Sequence, residues 1–85
     1  MFEASEIKRL ISENMNAEFV EVQGADGVHF QAVVVSPEFE GLTLIQQHRM
    51  VKATLGNRLE QEIHALGLKT YTPQRWAEVR QSLGH

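Results

Sequence analysis

Cysteine is absent from this 85-residue chain. That excludes disulfides, thiol nucleophiles and any zinc–thiolate or iron–sulfur site the chain could hold alone. Long apolar runs are also missing, and none approaches the length of a membrane span. The first residues, Met1-Phe2-Glu3-Ala4-Ser5-Glu6, lack the basic start and apolar core of a secretory signal. They are acidic where a transit peptide is arginine-rich, so the expectation is a cytoplasmic protein with no membrane partner. Cationic excess is lacking as well. The net charge is −3, which argues against general affinity for nucleic acid, because that affinity rests on neutralising phosphates. Hydrophobic residues at 42% and charged residues at 22% are ordinary globular values. A chain of this length then forms one domain spanning residues 1–85, with a single modest core.

What is present divides cleanly into elements. Residues 5–15 read as a helix, with Ser5 as cap, Glu6 in the first turn, and Ile7, Leu10, Ile11 and Met15 on one face. Phe19 to Gln23 reads as a strand. Gly24-Ala25-Asp26-Gly27 is a turn signal, and His29 to Ser36 is the second strand of the hairpin. Alternation there sets Phe30, Ala32 and Val34 against His29, Gln31, Val33 and Val35. The first set is the more apolar, which turns His29 away from the main core. Pro37 stops the strand, and Phe39 is expected to tuck inward.

A second helix is expected over 43–55, capped by Thr43, with Leu44, Val51 and Leu55 as a buried stripe that includes His48. Gly56-Asn57 breaks it, and a short helical piece follows over 58–62. Ala65 to Tyr71 is the third strand, with Leu66 and Leu68 facing the core. Thr72 caps a last helix that starts at Pro73 and turns Trp76, Val79 and Leu83 inward. The fold class is therefore α+β, in the order α-β-β-α-α-β-α, with a three-stranded mixed sheet covered by helices.

Four histidines occur, at 29, 48, 64 and 85. His85 is terminal and is set aside. The helical crossover between the second and third strands predicts that they run parallel. If they are neighbours, their N-terminal ends share one edge of the sheet. His29 opens one strand and His64 immediately precedes the other. Neighbouring strands lie only about 4.8 Å apart, so two imidazoles there are placed to serve one metal centre. Taken alone, His64 reads first as a histidine satisfied by backbone groups at a helix-to-strand junction. His29 reads equally as a polar residue on an exposed hairpin face. His48 reads as a structural histidine at the core edge.

His29-Phe30-Gln31-Ala32-Val33-Val34-Val35-Ser36, Phe39-Glu40-Gly41, Gln47-His48-Arg49-Met50-Val51, Ile63-His64-Ala65-Leu66 and Lys69-Thr70-Tyr71-Thr72-Pro73 with Trp76 closely resemble the BolA family. The short length and the Gly-Asp-Gly-like loop look like its YrbA/IbaG branch. The resemblance implies a fold similar to class II KH domains and a role with monothiol (CGFS) glutaredoxins. In that family the two proteins hold a two-iron, two-sulfur (2Fe–2S) cluster between them. The glutaredoxin supplies its cysteine and a bound glutathione. The BolA-like side supplies the histidine that matches His64, and a second ligand comes from the loop between the first two strands, where this chain has only His29. A homodimer is the assembly left open when that partner is absent.

The resemblance also carries a second implication, a DNA-binding regulator of stress-response or cell-morphology genes. Arg49, Lys52 and Arg58 are the candidate contacts, with His48, Lys69, Arg75 and Arg80 nearby; a solvated surface is the plain alternative. Clamping of RNA in the KH manner needs a Gly-x-x-Gly loop between adjacent helices. The matching junction here, Leu55-Gly56-Asn57-Arg58, has one glycine. Gly24 and Gly27 match that spacing but sit in the hairpin beside Asp26. No catalytic constellation and no phosphate-binding glycine loop is present, so a non-enzyme is expected.

Overall fold

The computed structural model describes residues 3–24, 29–57 and 65–84. Helix α1 spans Ala4–Asn14, strand β1 Phe19–Gln23 and strand β2 His29–Val35. A 3-10 turn at Pro37–Phe39 leads to helix α2, Leu44–Ala53. Strand β3 is Ala65–Tyr71 and helix α3 is Pro73–Gly84. The short helical piece expected over 58–62 lies outside the described residues, as does most of the hairpin turn.

The three strands form one sheet in the order β1-β2-β3. β1 pairs antiparallel with β2, from Phe19↔Val35 to Gln23↔Gln31. β2 pairs parallel with β3, from His29↔Ala65 to Val35↔Tyr71. The mixed sheet and the parallel second pair are as the crossover predicts. The fold is α+β. No described helix is long and apolar enough to cross a membrane.

The two faces of the sheet differ. Val20, Val22, Phe30, Ala32 and Val34 point to one side and meet Ile7 and Ile11 of α1, Phe39 of the 3-10 turn, and Val51 and Leu55 at the end of α2. Leu66 and Leu68 of β3 pack against this core. The other side carries Glu21, Gln23, His29, Gln31 and Lys69, all exposed. Its last row is the exception. Phe19, Val35 and Tyr71 are register partners. Trp76 of α3 stacks on Phe19 at 5.3 Å between ring centroids and lies tilted on Tyr71, also at 5.3 Å. Val35, between them, is only 1% exposed. The aromatic clamp explains why a strand position on the polar side is buried.

The helix ends show which local signals hold. Thr43 and Gln46 form a reciprocal capping box, Thr43 Oγ1 accepting from Gln46 N and Gln46 Oε1 from Thr43 N. Such a cap contributes about 1 kcal/mol. α2 ends at Ala53 with Thr54 as its C-cap, and Gly56, with φ +58°, takes the left-handed conformation in the turn that follows. Thr72 Oγ1 accepts from Arg75 N at 3.2 Å, as a cap before Pro73 should.

Two expectations are corrected. Ser5 does not cap α1. The helix begins one residue earlier, with Glu3 at the cap position and no side-chain cap bond. The Glu3 carbonyl itself accepts from Glu6 N and Ile7 N, so the first turn closes on backbone alone and Ser5 stands exposed inside it. Leu44 does not join the buried stripe of α2. It is 61% exposed, because the first turn of α2 overhangs the core that Val51 and Leu55 enter. The side chain of Leu83 lies outside the described residues, and Val79 is half-buried.

Candidate metal-ligand site

His29 is the first residue of β2. Its exposure follows from strand alternation: Phe30, the next residue, is 2% exposed and commits the backbone to bury the even positions. His29 therefore stands on the uncovered face, at one end of the sheet. Its register partner in β3 is Ala65. His64 is outside the described residues, but its sequence neighbour is the residue paired with His29. The parallel pairing of β2 and β3 is the one the crossover predicts.

Gly24 shapes this end of the sheet. A Cβ there would overlap Phe30 Cδ1 and Cε1 and stand 3.0 Å from the His29 carbonyl oxygen. The missing side chain lets β1 close over Phe30 and brings the backbone against His29. Sequence reasoning treated Gly24 as part of a turn signal and of a Gly-x-x-Gly spacing, not as a packing position. The available clue was a glycine one step after a regular strand, facing a large core aromatic across the hairpin.

His48 is not part of the same centre. It sits on α2 beside the far half of β3 and shares a groove with Lys69, Thr70 and Tyr71. Those residues lie four to six positions beyond Ala65, which at about 3.3 Å per residue is roughly 13–20 Å along the strand. His48 is half-buried, and its Nε2 is enclosed without a hydrogen-bond partner. That fits the structural reading of this residue.

Among the described residues, no group of three or more His, Cys, Asp or Glu is gathered to hold a metal ion. An exposed imidazole at a sheet end can donate to iron. With His64 it would supply at most two of the four protein ligands that a two-iron cluster takes, and the chain has no thiolate to complete the set. The donor chemistry fits a shared cluster and does not fit a cluster held by this chain alone.

Of the candidate nucleic-acid contacts, Arg49 and Lys52 are exposed on α2, and Arg58 is outside the described residues. Lys69 is exposed on β3 and Arg80 on α3. Arg75 instead pairs with Glu78 at 3.2 Å, which weakens any continuous basic patch reaching α3.

Comparison with known proteins places these features. The family model described as BolA-like protein matches residues 6–75. A DNA-binding transcriptional regulator BolA from Vibrio cholerae is 35% identical over 85 residues, covering 88% of this chain and 79% of that protein. BolA-like protein 2 from Homo sapiens is 39% identical over 82 residues, covering 92% of this chain and 94% of that protein. The solved structure of a bolA protein homologue from Coxiella burnetii superposes with a TM-score of 0.81 at 41% identity, covering 91% of this chain and 99% of that one.

Proposed function

The chain belongs to the BolA-like family, and from that premise we propose that it is a cytoplasmic, non-catalytic adaptor for iron–sulfur cluster trafficking or sensing. It binds a monothiol glutaredoxin and shares a 2Fe–2S cluster with it through His64 and His29, the glutaredoxin bringing cysteine and glutathione. The observation that carries this reading is the pairing of His29 with Ala65, the residue after His64, at an exposed end of the sheet. The lack of cysteine supports it, since a partner must then bring the thiolates. When bound, such a cluster supplies one-electron redox chemistry, and histidine in place of thiolate raises its potential. The chain's own part is to present two imidazoles from a rigid strand pair and to leave them open to a second protein.

The test is co-expression with a CGFS glutaredoxin, followed by visible absorption and circular dichroism of the purified complex. A coloured heterocomplex is expected. His64→Ala and His29→Ala should each change its spectrum while leaving far-ultraviolet circular dichroism intact. A His64→Ala complex with the native spectrum would sink the ligand assignment.

A second reading, a DNA-binding regulator, is favoured by the description of the Vibrio cholerae relative and by the exposed Arg49 and Lys52 on α2. Each phosphate contact contributes about 0.9 to the slope of log K against log salt. Replacing both cations by alanine should lower that slope by roughly 2. Duplex binding with an unchanged slope would remove α2 as the contact surface.

A further inference from the structure

Leu44 and Ile45 are 61% and 65% exposed, well above Phe19 at 39%. Phe19 is accounted for by its stack on Trp76. Nothing among the described residues covers the two aliphatics. Leu44, with Ile45 beside it in sequence, lines a groove of about 280 Å³ between α2 and β3 together with His48, Leu68, Lys69, Thr70 and Tyr71.

The groove is built in place rather than loosely formed. Thr70 Oγ1 donates to Gln47 Oε1 at 2.6 Å, and Gln47 Nε2 donates to the Leu42 carbonyl at 3.0 Å. These bonds pin α2 to β3, while the Thr43–Gln46 box fixes the first turn that carries Leu44 and Ile45.

Its charge is one-sided. The chain has 11 acidic residues and is net negative, yet among the described residues no carboxylate lines the groove. Lys69 does. Arg49 follows Ile45 by one helical turn, and Lys52 follows His48 by one. The ion pairs seen are Arg9–Glu13 and Arg75–Glu78, and none of Arg49, Lys52 or Lys69 pairs with a described residue. An apolar notch thus carries Lys69 at its lining, with Arg49 and Lys52 exposed on the same helix as Leu44 and unpaired among the described residues.

We propose that this face docks a short acidic segment of another protein, one bulky apolar side chain entering between Leu44 and Tyr71 and its carboxylates meeting Lys69, Arg49 and Lys52. The proposal stands apart from the cluster site, which lies at the other end of β3. Two competing occupants fit less well. DNA would use the cations but offers nothing to two exposed aliphatics. A second copy in a two-fold interface would set the same cations against themselves.

The probe is a set of peptides of about twelve residues, titrated into the ¹⁵N-labelled full chain. One group carries Leu and Phe at helical spacing among Glu and Asp, a second replaces the apolar residues by Ser, and a third replaces the acids by Lys. The first group should shift amides of residues 44–49 and 68–71, and the other two should not. Both exposed aliphatics can be changed without touching the core, so Leu44→Gln with Ile45→Gln should keep the fold and weaken binding about tenfold. Arg49→Glu with Lys69→Glu should weaken it comparably.

Three outcomes overturn the proposal. The first is no shift at those amides from any acidic apolar peptide, or equal shifts from the Ser-substituted group. The second is tighter binding of a short DNA duplex that survives Leu44→Gln with Ile45→Gln, which assigns the face to nucleic acid. The third is a concentration-dependent dimer in sedimentation that this double variant abolishes, which assigns the face to a second copy.

Discussion

At the scale of single residues, the hairpin end depends on an atom that is not there. Gly24 gives β1 room to pass Phe30, and any Cβ would press on that ring and approach the His29 carbonyl. Phe30 is 2% exposed and cannot swing into solvent without opening the core. Gly24→Ala should therefore destabilise the fold by about 1–3 kcal/mol, the usual cost of overpacking. Urea unfolding followed by circular dichroism measures it. Stability equal to the parent chain would show that Phe30 relaxes freely and that the close approach is incidental. Gly24 was legible as a turn residue because its neighbours are Gly, Ala and Asp. Its second duty depends on the cross-strand position of Phe30, which one-dimensional spacing does not display. The direction in which His29 faces was legible, since alternation alone decides it.

Elements were legible where local chemistry and burial agree. The Thr43 and Thr72 caps, the Gly56 turn and all three strands are signals written within a few residues. The stripe of α2 was half right. Leu44, Val51 and Leu55 share a helical face, and periodicity reports that direction correctly. Whether a core lies opposite each turn is a tertiary matter, and the first turn has none. Ile45, about 100° around the helix from Leu44, was the clue that an apolar side chain there must lie off the stripe. Trp76 was read as the anchor of α3, and its partners came only with the register that aligns Phe19, Val35 and Tyr71. Those contacts make α3 a clamp on the face that the other helices leave open. Trp76→Ala removes two aromatic contacts and uncovers Val35, so it should cost about 2–4 kcal/mol. Thermal unfolding by far-ultraviolet circular dichroism checks this. A loss under about 1 kcal/mol would mean that α3 is held by other contacts.

At the scale of the molecule, β2 joins two ends that differ in burial. His29 stands at one end and Val35, beneath the Trp76 clamp, at the other. Six residue steps separate them, or roughly 20 Å. His64 was legible as a candidate only from its sequence position before β3, and it lies outside the described residues. The separation has a consequence for mutants. Exposed His29 contributes little to packing, so His29→Ala should change stability by about 1 kcal/mol or less. Sites this far apart act independently, and the double variant His29→Ala with Trp76→Ala should lose the sum of the single losses to within about 0.5 kcal/mol. Function should divide the other way. In complex with the glutaredoxin, His29→Ala alters the cluster spectrum, whereas Trp76→Ala, measured well below its melting temperature, leaves it as in the parent. A coupling energy above about 1 kcal/mol, or a changed spectrum in Trp76→Ala, would show that strain crosses the sheet and that the clamp also sets the geometry of the ligand end.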